Sequence, residues 1–283
     1  MRFRAGITLI LSSILFSLPS GASADQPRDF MIAAPENGTF AFLDLVFPGV
    51  QAGIEQRVPI YGGANQLVLR ANALYLVPFY ESQADVDLRL LVLTLGASAG
   101  FRYDFRSLEF QENERLDRHY RRIREIDGRA TDAFWGFGEL RATLSLPIND
   151  YVLANGINTY RGQSSPDRTF DWRNGIVHDG TLFRSDIMLF FKHPDIGGIA
   201  PLFQILNFEL GEKRYTQFNY GVMAVTRPGF MRANDILLLQ VLIHPGSTLG
   251  GYDNSFSYGS HLFYQPFTFL VAYRMILPIW RPE

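Results

Sequence analysis

Several otherwise apolar segments of this 283-residue chain carry two charged side chains that are two positions apart. Glu139 with Arg141 and Arg184 with Asp186 show this spacing. Residues two apart in a β-strand lie on the same face, so each pair predicts opposite charges side by side. Such charges could form ion pairs across neighbouring strands, or an arginine-lined constriction that selects small anions. The residues predicted on this polar face are Glu55, Arg57, Arg70, Asp87, Arg89, Arg102, Asp104, Glu139, Arg141, Arg184, Asp186 and Arg274.

Histidine and serine give a weaker indication of hydrolytic chemistry. A nucleophilic serine needs a base within hydrogen-bond reach, and no His-x-Ser pair occurs in the sequence. His178 and Asp179 with Ser185 are the best remaining combination, whereas we interpret His261 as a hydrogen-bonding residue of the lumen or rim rather than a base. The chain has no cysteine, and its five histidines show no tight spacing, so we expect no metal site and no cofactor. We also expect no enzymatic activity, with a lipid hydrolase as the alternative that these residues leave open.

The segments that carry the charges alternate strongly, and residues 86–106 show the clearest pattern. One parity is apolar and the other combines charges with small residues, which is typical of a strand between hydrocarbon and a polar interior. The apolar series is Leu91, Leu93, Leu95, Ala97, Ala99, Phe101, Tyr103 and Phe105, and the opposite series is Thr94, Gly96, Ser98, Gly100, Arg102, Asp104 and Arg106.

Similar segments follow one another along most of the chain and predict an all-β fold. We expect a transmembrane, antiparallel, up-and-down β-barrel of about twelve strands, because closed bacterial barrels have an even number. A soluble β-sandwich is the less favoured alternative, since the polar parity here often carries small residues and paired charges. Thirteen segments show the pattern, one more than an even count allows, so we expect that one pair of strands is merged or split among them. They lie near residues 39–47, 50–58, 66–80, 85–106, 135–146, 151–160, 168–177, 182–192, 201–211, 215–226, 235–243, 255–264 and 267–279.

The N-terminal residues predict export from the cytoplasm. Arg2 and Arg4 precede an apolar run over residues 7–18, and small residues end at Ala24. This arrangement is typical of a secretory signal peptide over residues 1–24, cleaved near Ala24. Residues 25–38 are then a lead-in, and residues 39–283 form the barrel domain.

One segment, residues 109–129, departs from the strand pattern. It is rich in charge and has helical periodicity, with Leu116, Tyr120 and Ile123 on one stripe. We predict a long, charged, partly helical loop outside the barrel. It is either a solvated loop or a lid, partner-docking or lipopolysaccharide-binding element that acts through Arg118, Arg121, Arg122 and Arg124.

Taken together, the predicted signal peptide, the absence of cysteine, the alternating strands and an aromatic-rich last segment ending near Trp280 resemble Gram-negative outer-membrane β-barrel proteins as a class. The chain departs from that class at its end, where Arg281, Pro282 and Glu283 follow the aromatic residue. The resemblance implies location in the outer membrane, contact with outer-membrane lipid, and the barrel-assembly machinery as a partner during insertion.

Three functions are compatible with this architecture. The first is a narrow passive channel or accessory pore for a polar solute. The second is a non-conducting barrel that acts as a binding platform, or as a subunit of an envelope export or assembly system. The third is a membrane-embedded lipid hydrolase. A net charge of −2 gives no indication of a nucleic-acid partner.

Overall fold

Twelve antiparallel strands close into one barrel in the computed structural model. The residues described are 36–46, 49–61, 65–76, 79–107, 131–164, 169–171, 176–178, 180–193, 196–210, 213–227, 235–243 and 267–281. Neighbouring strands pair in sequence order around the wall, and β1 pairs with β14 to complete it. The predicted all-β barrel fold is therefore confirmed.

The wall strands are 8 to 19 residues long. In chain order the strands are β1 (Gly38–Val46), β2 (Gly49–Tyr61), β3 (Asn65–Leu76), β4 (Phe79–Leu90), β5 (Leu93–Ser107), β6 (Thr131–Asn149), β7 (Val152–Gln163), β8 (Thr169–Asp171), β9 (Ile176–His178), β10 (Thr181–His193), β11 (Gly197–Leu210), β12 (Lys213–Thr226), β13 (Ile236–Ile243) and β14 (Phe267–Trp280). None of the described residues is helical. Accordingly, no helix in this part of the chain is both long and apolar enough to cross a membrane.

Strands β8 and β9 stand apart from the barrel wall. They form a separate two-stranded antiparallel sheet within the connection between β7 and β10. The prediction of one wall strand over residues 168–177 is therefore wrong. The wall closes without it because β7 pairs directly with β10.

A second correction concerns residues 85–106, which form parts of two strands. A tight turn at Leu91 and Val92 separates β4 from β5, and Leu91 has a positive φ of 25°. The turn contains no glycine, proline, asparagine or aspartate to mark it. The inward parity changes here from odd to even residue numbers, but the apolar run from Leu90 to Leu93 conceals the change.

The barrel has two rims with different connections. We call the end that carries Gly38 and Trp280 the terminal rim, and the opposite end the far rim. The three longest connections, residues 108–130, 164–180 and 244–266, join strand ends that lie at the far rim. The far rim also carries short connections, such as residues 47–48 and 77–78, and the longest connection at the terminal rim covers residues 227–235.

Strands β13 and β14 pair directly, so the predicted strand over residues 255–264 has no place in the wall between them. Those residues, the predicted signal peptide over residues 1–24, most of the lead-in over residues 25–38 and the predicted helical loop over residues 109–129 all lie outside the described residues.

The outward face of the wall is apolar. Among the strand side chains that the structure describes, the charged residues on this face are Glu209 and Arg214, an exposed ion pair (2.7 Å) at the far rim. Near the same rim, cross-strand register aligns an outward row of aromatic residues over four strands, consisting of Tyr75, Tyr80, Tyr103 and Phe134. Aromatic rings gather at such positions in membrane barrels because they suit the boundary between hydrocarbon and water.

Candidate functional site

The inward face of strands β2 to β7 carries a charged network. Two of its contacts join strands that are not neighbours. Arg141 on β6 reaches Asp87 on β4, and Arg161 on β7 reaches Glu81 on β4. Side chains that meet in this way lie on the same face of the wall, and the burial of Glu81 (2% exposed) and Asp87 (3% exposed) identifies that face as the inward one.

The network is a continuous chain in which positive and negative groups alternate. Arg70 lies 2.7 Å from Glu55 and 2.5 Å from Asp87, and Arg141 lies 2.6 Å from the other oxygen of Asp87. Alternation keeps each buried charge beside an opposite one, which offsets the cost of removing it from water. In order, the members are Arg57, Glu55, Arg70, Asp87, Arg141, Glu139, Arg161 and Glu81.

The weakest links of this chain are at Glu139. Its carboxylate lies 3.7 Å from Arg141 and 3.8 Å from Arg161, beyond hydrogen-bond distance. Beyond it, Arg161 donates a hydrogen bond of 2.9 Å to Glu81. Glu139 thus joins two tightly bonded sections by longer, purely electrostatic contacts.

Glycine at position 96 makes room for the central ion pair. Gly96 on β5 is in register with Asp87 on one side and Arg141 on the other. A Cβ atom at this position would lie 2.2 Å from Oδ1 of Asp87 and 3.1 Å from Nη2 of Arg141. The Asp87–Arg141 pair therefore passes over β5 where that strand has no side chain.

Arginine also stacks on aromatic rings in the half of the interior nearer the far rim. The guanidinium of Arg102 lies 3.8 Å from the ring centroid of Phe79 and 5.2 Å from that of Trp135. Arg161 lies 3.8 Å from the centroid of Phe137 and 5.7 Å from that of Trp135. These cation–π contacts hold the guanidinium planes in place and limit their freedom to follow a passing ion.

The opposite wall carries a smaller polar ladder, based on Asp186. Arg184 and Gln204 both donate hydrogen bonds to its carboxylate, at 2.7 and 2.9 Å. Asn219 then donates to Gln204, and Gln217 donates to Asn219, each at 2.8 Å. This ladder extends across β10, β11 and β12 and satisfies groups that are deeply buried.

An apolar region lies beside the ladder, on the terminal-rim side. We call it the apolar cluster, and it is built from inward side chains of β7, β10, β11 and β13. Partly buried residues of β7 and β12, Ile157, Met223 and Val225, pack against it. Its buried members are Leu153, Met188, Phe190, Ala200, Leu202 and Leu242.

Several inward side chains on opposite sides of the barrel are completely buried. Val68 and Phe79 on one side of the barrel, and Leu206 and Asn219 on the opposite side, are all 0% exposed. Neighbouring side chains therefore cover the wall at these positions. Other inward side chains keep part of their surface exposed, 23% for Arg141 and 26% for Arg184.

A bidentate ion pair lies at the point where the barrel closes. Arg274 on β14 donates to both carboxylate oxygens of Asp44 on β1, at 2.7 and 2.6 Å. The two residues are cross-strand partners, although 230 positions separate them in sequence. Arg274 also lies 5.1 Å from the ring centroid of Phe42, so the contact joins the first and last wall strands.

The structure places the predicted polar-face residues as follows. Inward positions are occupied by Glu55, Arg57, Arg70, Asp87, Arg89, Arg102, Glu139, Arg141, Arg184, Asp186 and Arg274. Asp104 has an inward register position on β5, but its side chain is outside the description, and the loop residues Arg118, Arg121, Arg122 and Arg124 lie in a segment that is not described. The assignment of these residues to ion selectivity or partner binding stays a prediction.

The candidate hydrolytic residues lie on different elements. His178 is buried on β9, whereas Ser185 is on β10 at an outward position opposite Asn158. Asp179 and His261 are outside the described residues. The described part of the chain also contains no group of three or more histidine, aspartate or glutamate residues that could hold a metal ion.

Sequence reasoning missed several members of the interior, namely Asp44, Glu81, Asp85 and Arg161. Arg161 lies just beyond the predicted strand over residues 151–160, but β7 continues to Gln163. Glu81 was predicted to lie between two strands, but β4 begins at Phe79. The signal that could have found both is parity, because each lies two residues from another inward position on its strand.

Comparison of the chain with protein-family models, with curated proteins and with solved structures found no match. The class of the molecule therefore follows from its own architecture. It is a closed, twelve-stranded antiparallel barrel with an apolar outward face and an interior of ion pairs beside an apolar cluster.

Proposed function

We propose that this protein is an integral outer-membrane barrel whose interior is closed by ion pairs, and that it acts as a membrane-held binding platform. The single observation that carries the proposal is the alternating chain of charges from Arg57 to Glu81, which spans the interior of β2 to β7. The full burial of inward residues on opposite walls supports the same conclusion.

The apolar outward face supports the membrane part of the proposal. Large apolar side chains such as Ile54, Leu140 and Ile187 are exposed on the strands, where a soluble protein would present polar groups. The aromatic row near the far rim fits a membrane boundary. The long connections at the far rim, including the predicted docking loop at residues 109–129, supply the surface on which a partner would bind.

Membrane insertion can be measured with Trp280, which is 56% exposed on β14 at the terminal rim. In a variant that keeps Trp280 as its single tryptophan, with phenylalanine at positions 135 and 172, brominated phospholipids should quench the fluorescence strongly. A matched variant that keeps Trp135, which is 3% exposed in the interior, should be quenched much less. Equal, weak quenching of both would contradict insertion.

A narrow channel is the second candidate function, and the long contacts at Glu139 favour it, because the network could part there. The two functions are separated by recording from the purified protein in planar bilayers. The platform proposal predicts no discrete conductance for the wild type, and appearance of conductance when Glu139 and Arg161 are both changed to alanine. Arg214→Ala, which removes an exposed rim charge, should stay silent. Discrete wild-type conductance would refute the closed interior.

The docking function is tested by deletion of residues 109–129. A partner that copurifies with the wild type should be lost, while the heat-dependent gel mobility of the barrel should be retained. Retention of every copurifying protein would count against the loop as the docking surface.

A further inference from the structure

Arg89 is an inward arginine of β4 that makes no hydrogen bond or ion pair with any residue that the structure describes. It lies two residues beyond Asp87 toward the terminal rim, and its side chain is half-buried. By contrast, Arg70 and Arg141 contact a carboxylate at 2.5 and 2.6 Å. The guanidinium of Arg89 therefore keeps hydrogen-bond donors in the interior that no described residue occupies.

The two carboxylates that attract Arg89 are already neutralised by other arginines. They belong to Glu55 and Asp87, and each forms ion pairs with two other guanidinium groups. These ion pairs are Arg57–Glu55, Arg70–Glu55, Arg70–Asp87 and Arg141–Asp87. Arg57 and Arg70 also repel Arg89. Arg89 therefore adds a positive charge that neither carboxylate is left to balance, and such a charge is costly in an interior unless an anion accompanies it.

Asp85, another inward acidic residue of β4, does not supply that balance. It lies four residues from Arg89 toward the far rim, about 13 Å along an extended strand. Its carboxylate accepts hydrogen bonds from the side-chain amides of Asn72 at 3.0 Å and Gln83 at 3.1 Å. Asp85 therefore has partners of its own, and along β4 it lies on the opposite side of Asp87 from Arg89.

The inward positions at the level of Arg89 carry no carboxylate on β2 to β6. Cross-strand register places Gln66 on β3 and Thr94 on β5 beside Arg89, and Thr143 on β6 beside Thr94. The corresponding residue of β2 is Pro59. Amide and hydroxyl groups can donate hydrogen bonds to an anion. The ion-pair network lies on the far-rim side of this level, so an ion that comes from the terminal rim reaches Arg89 without separating an ion pair.

We propose that Arg89 is the centre of a binding site for a small oxoanion, of the size and charge of inorganic phosphate, in the half of the interior nearer the terminal rim. A guanidinium suits an oxoanion because its planar N–H groups can donate to two oxygens at once. Arg57 and Arg70 add positive charge nearby, and Gln66 and Thr94 are polar groups at the same level. A metal cation would meet three guanidinium groups, and an apolar ligand would leave the charge of Arg89 unbalanced. The inference rests neither on the platform function nor on membrane insertion.

The test is calorimetric titration of the purified protein in detergent micelles with inorganic phosphate, while chloride holds the ionic strength constant. We expect saturable binding of one phosphate per barrel by the wild type. Arg89→Gln should weaken this binding at least tenfold, because the fork of charged donors is lost. Arg214→Gln is the matched control, since it makes the same chemical change at a far-rim side chain that is 86% exposed, and it should change the affinity less than twofold.

Absence of saturable binding by the wild type would overturn the site, and so would equal affinities of the wild type and Arg89→Gln. An equal loss of affinity in Arg214→Gln would overturn it as well, because net charge alone would then explain the effect. Urea titration in phosphate-free buffer adds an independent measurement. Removing a charge without a partner should not lower the unfolding midpoint of Arg89→Gln, and a lower midpoint would contradict the unpartnered state of Arg89.

If Arg89→Gln does not fold, as judged by its heat-dependent gel mobility, Arg89→Lys keeps the positive charge and serves as the second variant. It should still weaken phosphate binding at least threefold, because an ammonium does not present the planar fork that binds two oxygens. Wild-type affinity of Arg89→Lys would overturn the site. Failure of phosphate binding would leave the conductance and quenching experiments unaffected, so it is distinguishable from failure of the proposed function.

Discussion

Replacing Gly96 with alanine should destabilise the barrel through one ion pair. The new Cβ would lie 2.2 Å from Oδ1 of Asp87, so the carboxylate has to move by about 1 Å or more. Asp87 is held between Arg70 and Arg141 at 2.5 and 2.6 Å, and the move takes it away from Arg141. Loss of one hydrogen bond between charged groups lowers the free energy of unfolding by about 2 kcal/mol.

The control is Gly138→Ala on the neighbouring strand β6. A Cβ there would meet nothing nearer than the carbonyl oxygen of Ser98 at 4.0 Å, on the outward face. Alanine is favoured over glycine in a strand by about 0.5–1 kcal/mol, so this variant should be as stable as the wild type or slightly more stable. The two substitutions are chemically identical and differ only in the face of the wall they occupy.

The free energy of unfolding can be measured by urea titration in detergent micelles, with tryptophan fluorescence and gel mobility as independent probes. A double-mutant cycle with Asp87→Ala isolates the contact, because Gly96→Ala should cost less than about 0.5 kcal/mol once the carboxylate is gone. If Gly96→Ala and Gly138→Ala have equal stabilities, or if the cost persists without Asp87, the steric argument is refuted.

Three further predictions concern the closing strands, the outward face and the stacked guanidinium. Arg274→Ala should lower the free energy of unfolding by about 3 kcal/mol, because Asp44 is left as a buried charge without its bidentate partner. In the same urea assay, the double variant that also carries Asp44→Ala should recover part of that loss. Leu140 is 62% exposed on the outward face, and Leu140→Arg should lower the free energy of unfolding in lipid vesicles by about 2–4 kcal/mol if the position lies near the bilayer midplane. An unchanged unfolding midpoint would contradict a hydrocarbon environment at this position. Arg102→Lys should shift the fluorescence of Trp135 and reduce stability by about 1 kcal/mol, since an ammonium does not stack between rings as a guanidinium does; wild-type spectra would argue against the stacking.

The sequence predicts the wall of this barrel better than its interior. Alternation is local, so it identifies strands and their two faces wherever a single residue parity is maintained. It fails at Leu91, where a turn without glycine or proline is embedded in an apolar run, and at Glu81 and Arg161, which lie just inside strand ends.

The partners inside the barrel depend on register and curvature, which no local pattern encodes. Arg70 was predicted to face a polar interior, but its position between Glu55 and Asp87 follows from the pairing of three strands. The apolar cluster beside the polar ladder was not predicted either. The cluster and the polar ladder occupy some of the same strands, β10 and β11 among them. On those strands, only their height along the barrel separates the apolar inward residues from the polar ones.

The Arg161–Glu81 ion pair sets a limit on the circumference of the molecule. It spans the interior as a chord between β4 and β7, with β5 and β6 on the arc outside it. A flatter wall, as in a barrel with more strands, would move the two ends of that chord apart and break this ion pair. The pair therefore favours tight bending of this part of the wall and disfavours wider closed forms that the same strand pairings would otherwise allow.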